Sequence, residues 1–322
     1  MTITTGRHFS KLSGYAPAVP TPFDDDDNVD IAAFADFCER QIREGASALV
    51  VCRTTGEAPT LRPAEHHVLV RTAVDVARGR VPVIAGTGSN STAHAIELTK
   101  DAEAGGADAI LSVVPYYNKP VQAGLYAHFR AITQSTGLPA ILYDVPSRTA
   151  CGLADETIAR LAELPQIIGL KDATGDVTRP SRLRSLVGSK FRLLSGDDGT
   201  ALAFLAQGGN GCISVTSNVA PGLCRAMYIA CKQGPLSMAH QFAVPIAQLT
   251  AALFREASPA PVKYALSLFG FMSANVRLPL VELTDRSRAD LSAIMARLCD
   301  EYPDHMIGTI NKVFRPLQTV AV

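Results

Sequence analysis

Eight short apolar runs, rich in β-branched residues, recur along the chain, and their rhythm limits the fold more than any other feature. They are YAPAVP (15–20), SALVVC (47–52), VPVIAG (81–86), AILSVVP (109–115), PAILYDV (139–145), IIGLKDA (167–173), FRLLSG (191–196) and GCISVT (211–216). Each is long enough for one strand and reads as continuously apolar, the pattern of a strand covered on both faces. Between them lie stretches with helical periodicity, such as IAAFADFCERQIREG and AHAIELTKDAEAGG. Many end in glycine, a favoured helix stop. Strand then helix, eight times over, predicts a parallel (β/α)8 TIM barrel. A doubly wound sheet is the weaker alternative, because no switch signature interrupts the series.

A barrel of this kind accommodates the 322 residues without a second independent domain. The barrel core is expected over residues 11–225. The remainder, 226–322, is expected to pack on it as a C-terminal helical region. From about Pro221 to Tyr302 the chain reads as nearly all helix, most clearly in QFAVPIAQLTAALFREA and PVKYALSLFGF, and the tail after about Asp300 has no assigned role.

Composition excludes several function classes. An apolar fraction of 47% with 19% charged residues supports a buried core and argues against disorder. Lys+Arg and Asp+Glu balance at 30 each, so no global basic field exists to hold nucleic acid or an anionic membrane. The seven scattered cysteines show no Cys-x-x-Cys pairing and suit reduced thiols, and the opening MTITTGRHFSKLSGYAP has no continuous apolar core. A cytoplasmic protein is expected.

Active sites of such barrels form at the carboxyl ends of the strands. The polar residues there are Thr54 and Thr55, Tyr116 and Tyr117, Tyr143 to Arg148, Lys171, Gly196-Asp197-Asp198 and Ile213-Ser214. Lys171 stands out because it interrupts an apolar strand. A buried ammonium is costly, and desolvation favours the neutral, nucleophilic amine that Schiff-base enzymes use. The plainer reading is a structural lysine paired with Asp172 or another carboxylate.

The segments TTGEAPTL, PYYNKP, YDVPSRT, GLKDATGD, LLSGDD, ISVTSN and the late APVK, in this order from about Gly14 to about residue 300, resemble the dihydrodipicolinate synthase and N-acetylneuraminate lyase superfamily. The resemblance implies a class I lyase in which Lys171 forms an imine with pyruvate. It further implies no metal, no organic cofactor and a homotetramer built as a dimer of dimers. Arg148 of YDVPSRT points to the synthase branch, because its planar fork suits the carboxylate of L-aspartate 4-semialdehyde. That branch makes 4-hydroxy-tetrahydrodipicolinate for lysine and diaminopimelate biosynthesis.

The resemblance also assigns roles. Thr54 and Thr55 cradle the pyruvate carboxylate, and Thr55, Tyr143 and Tyr117 form a hydroxyl relay, with Tyr117 lent by a neighbouring subunit. Gly196 and Ile213 supply backbone around the substrate. Plainer readings are core or interface packing for Tyr116 and Tyr117, a surface ion pair for Arg148, and strand-end geometry for Gly196 and Ile213. Two other functions compete: an aldolase of the same superfamily cleaving N-acetylneuraminate or a keto-deoxy sugar acid, and a non-catalytic pyruvate sensor.

Three departures from the family pattern stand out. Arg53 occupies a position where relatives usually carry glycine, and Asp144 replaces a commoner asparagine. Relatives inhibited by lysine use residues matching His66, Asn90 and Tyr116, but Pro63 and His94 stand where those enzymes carry a histidine and a glutamate, so feedback by lysine is expected to be weak or absent. GTGSNS (86–91) only approximates a dinucleotide fingerprint, Asp24 to Asp27 lack the rest of a calcium loop, and His66-His67 lack a zinc partner at helical spacing.

Overall fold

A computed structural model describes residues 12–306 together with Phe9. The chain beyond 306, and with it most of the tail after Asp300, lies outside the described residues. Eight parallel strands appear where the apolar runs place them: β1 (Gly14–Pro17), β2 (Leu49–Val51), β3 (Val83–Gly86), β4 (Ala109–Val113), β5 (Ala140–Asp144), β6 (Ile167–Asp172), β7 (Arg192–Ser195) and β8 (Gly211–Ser214). Sequential strands pair from β2 round to β8, which pairs with β1. A parallel bridge between Ala18 and Val50 joins the two remaining edges, with the Val19 N–H donating to the Val50 carbonyl at 2.8 Å. The sheet is thereby closed into a (β/α)8 barrel.

Alternation along the strands divides the residues into two sets. Ala16, Val50, Ile84, Leu111, Ile141, Leu194 and Ile213 fill the barrel interior. Their neighbours on the other face, such as Val51, Ile110 and Cys212, pack beneath the helices. The surrounding helices include α1 (Ile31–Arg43), α2 (Pro63–Ala77), α3 (Thr92–Ala104) and α4 (Gln122–Gln134). Next come the short α5 (Pro146–Thr149), then α6 (Asp155–Ala162), α7 (Arg179–Val187), α8 (Ala201–Ala206) and α9 (Pro221–Gln233). Local signals set the ends of α1: the Asp30 carboxylate accepts the Ala33 N–H at 2.9 Å, and Gly45 (φ +87°) stops the helix.

The C-terminal region is helical but not continuous. It comprises α10 (Leu236–Leu253), α11 (Ala260–Leu268), α12 (Asp285–Glu301) and α13 (Pro303–Met306), and the chain leaves helical geometry over residues 269–284. Arg277 accounts for the break. Its N–H donates to Glu57 at 3.0 Å, and its guanidinium binds Glu65 and the carbonyls of Asp27 and Thr60. The segment is thus drawn back onto the loop after β2. Among the described residues no helix is long and apolar enough to cross a membrane.

One buried group gives the fold an acid sensitivity. His128 on α4 holds Thr92 at 2.9 Å through Nδ1, and burial lowers its pKa to about 4. As pH falls from the ordinary histidine value towards that figure, the unfolded chain takes up a proton that the folded chain refuses. Stability is therefore lost over roughly pH 6.5 to 4, by on the order of 3 kcal/mol if the shift is fully developed. Urea titrations of His128→Asn beside the parent should show a flatter pH dependence in that window; parallel curves would remove His128 as the cause.

Candidate active site

Register brings the central pair together. Tyr143 on β5 lies directly across from Lys171 on β6, and Asp144 across from Asp172. Because alternate residues face opposite ways, Tyr143 and Lys171 project into the barrel while the two aspartates face the helical layer. The Lys171 ammonium position lies 4.5 Å from the centre of the Tyr143 ring, and the residue is 5% exposed. Asp172 is not its partner. That carboxylate accepts from Thr174 at 2.7 Å and binds Arg179 at 3.3 Å. Among the described residues no carboxylate pairs with Lys171.

Arg179 itself is held behind the site by Asp144 at 2.9 Å, Asp155 at 2.9 Å and Asp172. Burial pushes the Asp144 carboxyl above its usual range, against the pull of Arg179. Asp144 therefore belongs to a buried ionic cluster outside the barrel lumen, a position its sequence context does not disclose.

Gly196, just past β7, is required by the lysine. A Cβ there would lie 2.9 Å from Lys171 Cε and 2.9 Å from the Ala173 Cβ. Its N–H donates to the Asp172 carbonyl at 2.6 Å. Gly196→Ala is expected to displace the lysine stem. Turnover should fall by roughly a hundredfold, with an overpacking penalty of about 1–3 kcal/mol. Paired kinetics and thermal melts check this, and unchanged turnover would show that the stem has room to move.

The loop after β2 brings Thr54 and Thr55 to the same barrel mouth. Thr55 is buried and Thr54 half-buried. Arg53, 6% exposed, lays its guanidinium 5.4 Å from the Tyr143 ring. One aromatic ring therefore touches both Arg53 and Lys171. Gly86 permits this, since a Cβ there would stand 2.0 Å from Arg53 Cδ, and a Cβ at Gly88 would stand 2.3 Å from the Val113 nitrogen. The glycines of GTGSNS thus serve close packing at the strand ends. A cavity of about 400 Å³ opens beside them, walled by Arg53, Thr54, Gly88, Tyr116 and Arg148 among others. Pro63, His66 and His94 line it too. Lys171 is not in its wall.

Arg148 sits exposed on α5 with no acidic partner among the described residues. Tyr117 is 89% exposed with φ +72°, so it does not join the lysine within one chain, nor is it core. Ile213 contributes an interior side chain on β8. Asp197 and Asp198 build loops: Asp198 accepts the N–H groups of Val215 and Thr216 at 2.8 and 3.0 Å. Asp24 likewise accepts from the Asp26 and Asn28 N–H groups, forming a turn. His66 and His67 both contact Asp101, at 3.4 and 2.7 Å.

Sequence reasoning missed a buried pair that supports the threonine loop. Lys263 on α11 meets Glu57 at 2.8 Å, both side chains fully buried. Glu57 adopts a left-handed conformation (φ +55°) two residues past Thr55. The signal was present, since Lys263 interrupts the apolar run APVKYALSL much as Lys171 interrupts its strand.

The model of the Dihydrodipicolinate synthetase family matches residues 11–298. A 4-hydroxy-tetrahydrodipicolinate synthase of Hyphomonas neptunium is 53% identical over 285 residues, covering 88% of this chain and 97% of that protein. A dihydrodipicolinate synthase from Bacillus anthracis superposes with a TM-score of 0.87 at 42% identity, covering 88% of this chain and 98% of its own. A chloride-inhibited dihydrodipicolinate synthase from Acinetobacter baumannii, solved with pyruvate, superposes with a TM-score of 0.86 at 43% identity over 88% of this chain and 98% of its own. With the barrel closed, the lysine unpaired among the described residues and the match running through nearly the whole of it, the chain belongs to the dihydrodipicolinate synthetase family.

Proposed function

We propose that the protein condenses pyruvate with L-aspartate 4-semialdehyde to give 4-hydroxy-tetrahydrodipicolinate, through an imine on Lys171. The observation that carries this reading is the buried lysine amine, set against Tyr143 with no carboxylate partner among the described residues. The amine attacks the pyruvate ketone and water leaves, giving an iminium that acts as an electron sink. A methyl proton is then lost, and the resulting enamine attacks the aldehyde of the second substrate. Finally that substrate's amine displaces Lys171 and closes the ring. The protein's own imine supplies the activation, so neither metal nor organic cofactor is required.

Thr54 and Thr55 receive the pyruvate carboxylate at the loop after β2, and Gly196 and Ile213 border the bound keto acid. Arg148, which has no acidic partner among the described residues, receives the carboxylate of the semialdehyde as a two-pronged donor. Thr55 and Tyr143 pass protons together with Tyr117. The 89% exposure of Tyr117 supports its acting in a neighbouring subunit, which ties activity to an assembled dimer, two of which make the tetramer. The relatives named as synthases, at about half identity, favour this over sugar-acid cleavage. A coupled assay with pyruvate and aspartate semialdehyde, run beside cleavage of N-acetylneuraminate, should give turnover only in the first arm. Turnover in the second arm alone would replace this reading with the aldolase one, and pyruvate binding without turnover in either arm would replace it with a sensor.

A further inference from the structure

β5 and β6 carry Tyr143 and Lys171, and the pairing between these strands slips. Ala140 lies across from Ile167, but the next residue, Ile141, lies across from Gly169, so Ile168 has no partner and every later pair is shifted by one. The slip is visible in the packing as well. Ile167 and Leu170, three residues apart, both pack beneath the helices, which strict alternation along a strand forbids. Without the slip Lys171 would stand across from Asp144 and not from Tyr143. Cross-strand partners share a face, and Asp144 faces the helical layer, so the unshifted register would turn the amine out of the barrel.

Backbone hydrogen bonds do not choose between the two registers, because each residue of the pair offers the same donor and acceptor. The apolar pattern does not choose either. β6 presents branched apolar side chains to both sides, Ile168 to the barrel interior and Ile167 and Leu170 to the helical layer. The choice falls to the polar end of the pair. There Arg179, from α7, places Nη1 at 2.9 Å from Asp144 on β5 and at 3.3 Å from Asp172 on β6. Its Nε, 2.9 Å from Asp155 on α6, fixes the direction of the fork. Arg179, Asp144 and Asp172 are all buried, so salt and water screen this bridge little. The bridge needs the two strand aspartates side by side on one face, and the shifted register provides that arrangement.

We propose that Arg179 is a positioning residue for the condensation: by tying Asp144 to Asp172 it locks the shifted register of β5 and β6 and so holds Lys171 in the barrel opposite Tyr143. It acts through the two aspartates and takes no part in the bond-making steps. The inference rests on the imine mechanism, in which the amine must meet the keto carbon in a narrow geometry and a misplacement of about 1 Å costs on the order of a hundredfold in rate.

Rapid mixing of the full-length protein with pyruvate, quenched by borohydride at successive times and read by intact mass, gives two quantities: the rate of labelling and its final extent per chain. A residue that only held the fold together would change the extent, because fewer chains would be competent. A positioning residue changes the rate. Arg179→Lys, which keeps the charge but not the fork, should label roughly 10- to 100-fold more slowly and reach the extent of the parent. Asp144→Ala, which releases β5 alone, should also be slow at full extent, and it carries the test should Arg179→Lys not fold. Asp155→Asn removes a contact to Arg179 without touching either strand and should label at the parent rate. The parent rate in Arg179→Lys or in Asp144→Ala would overturn the proposal. So would a reduced extent at unchanged rate, or an Asp155→Asn protein as slow as Arg179→Lys, since either would make the cluster a support of the fold in general. A parent that takes up no label would remove the Lys171 imine and this inference with it, whereas a labelled parent with equal rates in the variants would remove this inference alone.

Discussion

A Lys171→Ala protein is expected to lose turnover by roughly a thousandfold or more while keeping its fold. The size of the loss follows from the covalent role proposed for the amine, because no residue across from it on β5 or β7 supplies a second primary amine. The fold survives for a separate reason. Lys171 has no ionic partner among the described residues, so its removal leaves no orphaned carboxylate; only its stem, packed against Gly196, is lost. Steady-state kinetics beside a thermal melt provides the check. Full turnover with an unchanged melt would remove the lysine from the reaction, and a collapsed melt would mean that the side chain is structural after all.

Lys263→Met is expected to do the opposite, destabilising the protein by about 3–5 kcal/mol. Lys263 and Glu57 are both fully buried and 2.8 Å apart, so deleting the ammonium strands a carboxylate whose remaining partner is the Arg277 N–H at 3.0 Å. Burial pulls the Lys263 ammonium below the ordinary lysine range, against the attraction of Glu57, which marks how dry the pair is. The stranded charge would sit in the loop that carries Thr54 and Thr55, so activity should fall with stability. Adding Glu57→Gln to Lys263→Met should recover part of the loss, because the uncompensated charge is then gone. Urea unfolding of both variants is the measurement, and a single-variant loss below about 1 kcal/mol would place the pair in effectively solvated surroundings.

These two lysines show what the sequence can and cannot disclose. Each interrupts an apolar run, and that interruption alone marks it as anomalous. The role, however, depends on the partner. Asp172, the obvious candidate beside Lys171, faces the other way because strand neighbours alternate, whereas Glu57 lies 206 positions from Lys263 and no spacing rule connects them. The barrel was legible because its strands are covered on both faces and carry their signal locally. The break over residues 269–284 was not, because it is made by Arg277 reaching back to Asp27, Glu57, Thr60 and Glu65.

The same distinction applies around the mouth. Arg53 could be singled out as a departure, but its burial against Tyr143 follows from the absence of a side chain at Gly86, a three-dimensional consequence. Asp144 reads as a mild exchange next to Tyr143, yet register turns it away from Lys171 and into the Arg179 cluster. Tyr117 is polar-tipped and adjacent to Tyr116 in sequence, but its left-handed backbone sends the two rings to different surroundings, one in the cavity wall and one in solvent.

The most direct measurement is borohydride reduction of the protein in the presence of pyruvate, followed by peptide mass mapping. A single pyruvate-derived secondary amine on the peptide containing Lys171 is the expected result. An adduct on a different lysine, or an unmodified Lys171 peptide under conditions where the protein turns over, would contradict the mechanism at its first bond.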